Sequence, residues 1–294
     1  MNKKKGFMMV NFKVNNYKKN IKIYYKNDYY KRLAKKTIED IWFNNKNDKI
    51  RLIKNIDKGK VYKTKYKGEN YFIKSYSHKK FRKLFKNLFR PVDAIRHCKT
   101  ISELKNANIS VMEPVLSLTY KKNSFVTDSI FVTREVKGIS ILDFLKKDNL
   151  NIKKRKYIIK KLGIIWGKLL NNNFMHQDPS LSNYIINFNT GELTLIDVDN
   201  LYKIPISISK ILLQSLARLY DLALYDFDQA SAKPLTYRER ILFVKFLLLN
   251  YKPRLDKKEF INYINDLTIE RLIKKDKKYL IKKDKILNNI YKRD

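Results

Sequence analysis

The stretch MHQDPSLSNYIINFNTGELTLIDVDN, residues 175 to 200, restricts the fold of this chain more than any other. Pro179 disfavours helix at the residue before it, so Asp178 belongs to a loop. Asn183 stands five residues after Asp178, and the runs YIINF and LTLIDV read as two short strands turned at Asn189 to Gly191. A hairpin brings the end of its second strand back to the start of its first, which sets Asp197 beside Asn183. Two carboxylates and an amide then converge, and His176 is placed to brace the loop by hydrogen bonding. Asp199 either joins that group or caps the segment that follows.

Such a group has a definite chemistry. Phosphoryl transfer from ATP needs a carboxylate to orient the attacking hydroxyl and oxygen ligands to hold magnesium against the phosphates. Asp178 is the candidate base, with Asn183 and Asp197 as the candidate metal ligands.

Hydrophobic periodicity divides the chain into three parts: 1–50, 51–137 and 138–294. In the first, YYKRLAKKTIEDIWF has helical spacing at Leu33, Ile38, Ile41 and Trp42 and predicts a short appended helix. The second reads as strands, KVYKTKY, ENYFIKSY and SIFVTREV, with a turn at Lys67-Gly68. Between them RPVDAIRHCKTISELKNA predicts a helix opened by Pro91. The third part is mainly helical apart from the hairpin.

Composition excludes several classes. With 44% apolar and 13% aromatic residues the chain can bury a core, so disorder is not expected. The single cysteine, Cys98, excludes an internal disulfide and a multi-cysteine metal site. No apolar run approaches the eighteen or so residues of a membrane span, and the basic start MNKKKGFMMVNFKVNN is too interrupted for a secretory signal. A cytoplasmic protein is the expectation. The formal charge of +37 attracts anions, although 52 Lys against 13 Arg is also what base composition alone would produce.

HQDPSLSN followed by LIDVD resembles the catalytic loop and metal-binding Asp of the protein-kinase-like superfamily. Together with ENYFIKSY, the basic KKFRKLFKNLFR and REVKG, it is most similar to the lipopolysaccharide core heptose kinases of Gram-negative bacteria, over roughly residues 55 to 200. The resemblance implies an α+β, two-lobed protein-kinase-like fold, with a small strand-rich lobe over 51–137 and a larger helical lobe over 138–294. It implies ATP and Mg2+ as cofactors and gives Asp178 and His176 catalytic roles, with Asn183 and Asp197 as metal ligands. Lys74 matches the lysine that contacts the nucleotide's phosphates. Gly59, in DKGKVY, matches the loop over those phosphates, and Glu135 and Val136 match the segment that receives adenine through backbone hydrogen bonds. Each has a plainer reading: Lys74 as a solvated strand residue, Glu135 and Val136 as the end of an ordinary strand.

The pattern departs from the family in two places. The phosphate loop has only one glycine, and His97 falls where many kinases carry a Glu paired to the strand lysine. Asp93 could replace that Glu or could be a first-turn acid favoured by the helix dipole, while Glu103 lies nearly two turns away.

The expected function is phosphorylation of a sugar, heptose, in the lipopolysaccharide inner core. The alternatives are a protein kinase or aminoglycoside-type phosphotransferase on the same fold, or a non-catalytic pseudokinase. No APE segment follows Asp197, and Ser180 stands where eukaryote-like protein kinases carry a Lys. ATP and a lipopolysaccharide or other glycan acceptor are the expected partners; nucleic acid is not. Peripheral contact with the anionic inner face of the inner membrane is expected through residues 79 to 90, read as a helix with Phe81, Leu84, Phe85, Leu88 and Phe89 on one face. The same aromatics would serve equally to cover the small lobe's sheet.

Overall fold

Alternating apolar and polar residues build the first part of the chain into one antiparallel sheet. The computed structural model describes residues 12–43, 50–56, 59–78, 84, 85, 87, 90–123, 125–147, 151–204 and 209–291. Its internal contacts form two units: Met1–Glu103 with Met112–Glu135, and Leu104–Val111 with Val136–Asp294.

The first unit contains strands β1 (Lys13–Tyr17), β2 (Ile21–Tyr25), β3 (Ile50–Ile56), β4 (Gly59–Tyr66), β5 (Glu69–Ser77), β6 (Pro114–Lys122) and β7 (Phe125–Arg134), in the spatial order β1-β2-β6-β7-β5-β4-β3. The β4–β5 register runs to Tyr66 opposite Glu69, leaving Lys67 and Gly68 as a two-residue turn with φ of 48° and 86°. Positive φ at both positions suits the right-handed twist of a tight hairpin, as the Lys67-Gly68 pair predicts.

Two helices cover opposite faces of this sheet. Helix α1 (Lys31–Trp42) buries Leu33, Ala34 and Ile38 in a cluster with Tyr71 and Ile73 of β5 and with Leu116, Leu118, Ile130 and Val132. Each such aliphatic side chain contributes about 1.5–3 kcal/mol relative to exposure. On the other face, α2 (Asp93–Asn106) meets β5 through His97, whose Nδ1 lies 3.3 Å from the Tyr76 hydroxyl and whose ring packs edge-on against Tyr76 and Phe131.

The sequence predicts only an appended helix before residue 50. The helix is α1, but β1 and β2 precede it and pair through β2 onto β6, so these residues widen the sheet instead of standing apart from it. Their alternation is clear only in IKIYY, where Ile21, Ile23 and Tyr25 are buried. Most of the basic segment 79 to 90 lies outside the described residues, as do Asp57 and Lys58 before Gly59.

After Glu135 the second unit resumes with β8 (Ile139–Ser140), α3 (Ile141–Leu145) and α4 (Ile152–Asn171). Three short strands follow, β9 (Phe174–His176), β10 (Tyr184–Asn187) and β11 (Glu192–Leu195), then β12 (Leu201–Lys203) and the helices α5 (Ser209–Gln229), α6 (Tyr237–Leu248), α7 (Lys257–Lys274), α8 (Lys278–Lys283) and α9 (Lys285–Tyr291). Helices α4 and α6 touch backbone to backbone. A Cβ at Gly163 would lie 2.6 Å from the Phe243 carbonyl oxygen, and one at Gly167 2.3 Å from that of Leu247. Their first turns are held by Arg155, which donates from Nε to Glu239 at 2.7 Å and from Nη2 to the carbonyls of Lys233 and Pro234. Among the described residues no helix is long and apolar enough to cross a membrane.

Candidate active site

The hairpin predicted from the sequence is present, and it sets the geometry of the site in the second unit. Tyr184 pairs with Leu195, and one step further the Ile196 N–H donates to the Asn183 carbonyl at 2.9 Å. That last rung leaves Asp197 immediately beyond Asn183's partner, so chain reversal alone brings the two together. The Asn183 side chain reaches back across the loop, where Nδ2 donates to the Asp178 carbonyl at 3.0 Å. A carbonyl only accepts, so this contact assigns the nitrogen and turns Oδ1 away as the free acceptor of the amide.

The loop is held from beneath by residues far away in sequence. His176 is 1% exposed. Its N–H donates to Ser215 Oγ on α5 at 2.8 Å, the Ser215 hydroxyl donates back to the His176 carbonyl at 2.9 Å, and its ring stacks on Trp166. Its Nδ1 accepts from the Asp178 N–H at 3.3 Å. Burial lowers its pKa to about 4, against a smaller opposing effect of the Asp197 carboxylate. A neutral ring that accepts at Nδ1 carries its proton on Nε2, and that atom is buried. His176 therefore orients the loop, and its burial keeps it from the reacting atoms.

Asp226, also on α5, accepts from the Leu181 N–H at 2.8 Å and from the Ser180 hydroxyl at 3.3 Å. Burial raises its carboxyl pKa, and the hydrogen bonds it accepts oppose that shift. Sequence reading missed Asp226 and Ser215. The one local hint is an acid inside the otherwise apolar LALYDF run. Asp197 accepts from the Asp199 N–H at 3.0 Å, so Asp199 takes part in the turn that positions the Asp197 carboxylate. Asp178 itself is exposed.

One feature of composition becomes meaningful only with this geometry. Residues 169–202 contain no Lys or Arg, although the chain has 65. Within that window stand Asp178, Glu192, Asp197 and Asp199, so the loop and hairpin form an acidic island in a chain of charge +37. Carboxylate and amide oxygens are the donors that a hard divalent cation takes. Among the described residues no three His, Cys, Asp or Glu side chains cluster as a metal site. The donors that fit magnesium are the Asp197 carboxylate and Asn183 Oδ1, a partial set of the kind that phosphate oxygens and water complete.

The remaining predicted residues lie in the first unit, except Val136, with which the second unit resumes. Lys74 is half-buried on β5, opposite Phe131 on β7 and on the same face as Tyr76, which meets α2. His97 takes the place on α2 expected for a paired Glu, and it packs against Tyr76 and Phe131. Asp93 is a first-turn acid 2.6 Å from Arg96, and Glu103 lies near Lys99 one turn back, so both have helix-surface partners.

Two backbone contacts surround the residues expected at the nucleotide. The Glu135 N–H donates to the Asn70 carbonyl at 2.9 Å, extending the β5–β7 ladder, and its carboxylate holds Lys63 and Asn70. Donation to a base is therefore closed to Glu135, and only its carbonyl remains for that purpose. A Cβ at Gly59 would lie 1.7 Å from the Ser75 carbonyl oxygen, so the close approach this glycine permits is that of β5.

Comparisons with known proteins bear on the fold and the family. No curated protein matches the chain. A solved structure, "WaaP in complex with acyl carrier protein", is similar over 75% of this chain and 88% of that one, with a TM-score of 0.55 and 15% identity, which shows a common fold. The lipopolysaccharide kinase (Kdo/WaaP) family matches over residues 53–237, from β3 to the start of α6. That match covers well over half of the chain and includes the whole loop and hairpin, so the chain belongs to the lipopolysaccharide kinase (Kdo/WaaP) family and is a phosphotransferase with the mixed α and β fold of the kinases.

Proposed function

We propose that the chain transfers the γ-phosphoryl group of ATP, with Mg2+, to a hydroxyl of a sugar, a heptose, in the inner core of lipopolysaccharide. The observation that carries this reading is the convergence of Asp178, Asn183 and Asp197 on one loop and hairpin. In the reaction the acceptor oxygen forms its bond to phosphorus as the bond to the ADP oxygen breaks. The acceptor proton passes to the exposed Asp178 carboxylate. Asn183 and Asp197 are the residues that would hold magnesium, which when bound withdraws charge from the phosphate oxygens. The side chains of His176 and Asp226, accepting from the Asp178 and Leu181 N–H groups, hold the loop that presents Asp178 to the hydroxyl. Lys74 is proposed for the phosphates, and Val136 with the Glu135 carbonyl for the base.

The test is incubation of the protein with labelled ATP, Mg2+ and rough lipopolysaccharide, with an aminoglycoside and a generic protein as parallel acceptors. Label in the lipopolysaccharide, located on heptose by sugar analysis, supports the reading. Label in either of the other acceptors replaces it.

We also infer a partner. The solved relative is in complex with acyl carrier protein, and the second unit of this chain holds a cavity of about 160 Å³ lined mainly by apolar side chains, among them Ile158, Leu216, Phe227, Val244 and Phe260. An apolar cavity of that size accepts a small apolar group. An acyl carrier protein bearing an acyl chain should raise the thermal midpoint, and the same carrier without the acyl chain should raise it less. Equal shifts would exclude the cavity from that contact.

A further inference from the structure

Residues that precede β3 do more than enlarge the core. The chain enters the first unit at Met112 and leaves it after Glu135, and one residue inside each of these points is a charged side chain, Glu113 and Arg134. The two are tied to each other: the Arg134 N–H donates to the Glu113 carbonyl at 3.0 Å, and Arg134 Nη1 lies 3.7 Å from Glu113 Oε2. Both are also held from the N-terminal segment. The Lys26 ammonium pairs with Glu113, and the Lys26 N–H donates to the Val115 carbonyl at 3.0 Å. Arg134 Nη2 donates to the Tyr30 hydroxyl at 2.9 Å. Tyr30 is itself buried, its ring set edge-on to Tyr71 at 6.2 Å, two residues along β5 from Ile73 and three from Lys74. The Tyr30 hydrogen bond is the main influence raising the Arg134 pKa.

The grip therefore involves both β5, which carries Lys74, and the strand end that becomes Glu135 and Val136. We propose that Tyr30 and Lys26 are positioning residues that set the backbone of 134–136 for nucleotide binding, so that residues 12–43 act as an internal clamp on that segment. This rests on the ATP-dependent reading above for its kinetic consequence, but not for its structural one. A hydroxyl–guanidinium bond at a buried ring holds Arg134 in one rotamer, and the Glu113 carboxylate fixes the other side of the same guanidinium. Without them the last rung of β7, Arg134 to Glu113, and the Glu135 N–H to Asn70 rung would be held by backbone alone.

The experiment compares Tyr30→Phe, Arg134→Gln, the double variant and Leu33→Ala in the full chain. Tyr30→Phe should raise KM for ATP about five- to tenfold with kcat changed less than twofold, and the double variant should be no worse than Arg134→Gln, because both remove one interaction. Leu33→Ala loses packing in the same unit and should lower the thermal midpoint with KM for ATP unchanged. Hydrogen exchange provides a readout that needs no activity: the amides of Arg134 and Glu135 should exchange at least tenfold faster in Tyr30→Phe and at the wild-type rate in Leu33→Ala. If wild type uses no ATP while those amides still respond, the functional reading fails and the clamp stands. Unchanged exchange at both amides in Tyr30→Phe, or a KM change in Leu33→Ala equal to that in Tyr30→Phe, overturns the clamp.

Discussion

The Nδ2 amide of Asn183 donates to the backbone carbonyl of Asp178 at 3.0 Å, joining the candidate metal ligand to the candidate base across five residues. Its oxygen is thereby left for a cation. Asn183→Ala removes both interactions and should raise the magnesium concentration needed for half-maximal rate by at least about tenfold, with little change in the far-ultraviolet circular dichroism. A magnesium titration checks this, and an unchanged midpoint would remove Asn183 from the metal site.

Asp178→Asn keeps the shape of the side chain and removes the proton acceptor. General base catalysis contributes about 10²–10⁴-fold, so kcat should fall by that factor while the thermal midpoint stays within a few degrees of wild type. Steady-state kinetics at saturating ATP measure it. Retained activity would show that the hydroxyl proton leaves by another route.

Lys74→Ala should reduce kcat/KM for ATP strongly, and Lys65→Ala, on neighbouring β4, should change it little. The loss of one cation among 65 hardly alters the overall field, so a difference between the two variants reports position and not charge. Equal losses would place the phosphate contact elsewhere.

Acid should weaken the fold through His176. Its pKa is about 4 in the folded protein, against the ordinary histidine value of 6.5 in the unfolded chain, so between those values the unfolded chain takes up the proton and the folded one does not. Stability is then fully present above pH 6.5 and falls as pH drops towards 4, by about 3 kcal/mol over the window. Urea unfolding at about pH 7 and about pH 4.5 should show a smaller loss in His176→Leu than in wild type. Parallel losses in the two proteins would assign the acid sensitivity to other groups.

Asp226→Ala leaves the Leu181 N–H without its carboxylate partner in a buried place. It should destabilise the protein by about 1–3 kcal/mol and lower kcat at the same time, whereas Asp226→Asn, which keeps an acceptor oxygen, should retain more of both. Thermal denaturation and kinetics on the two variants measure it, and equal behaviour would mean that the carboxylate only fills space.

How much of this is legible in the sequence depends on separation along the chain. Asp178, Asn183 and Asp197 can be placed because Pro179 forces a loop and a hairpin is a local structure with fixed reversal. Asp226 and Ser215 cannot, because their partners lie 45 and 39 residues away, and only helix α5 brings them together. The strands β1 and β2 are hidden because KVNNY has no buried face and the pairing of IKIYY is with β6, nearly a hundred residues on. The need for glycine at 59 includes a close approach of the Ser75 carbonyl that the sequence does not show. The absence of Lys and Arg from 169–202 is plain in the sequence, and it marks the site as clearly as the motif does.

The measurement that tests the central claim most directly is transfer of label from γ-labelled ATP to rough lipopolysaccharide with and without magnesium, for wild type and Asp178→Asn side by side. The account predicts magnesium-dependent label in the core sugar with wild type and at least about a hundredfold less with Asp178→Asn. Equal labelling by the two proteins, or magnesium-dependent labelling of a generic protein in place of the lipopolysaccharide, would contradict it.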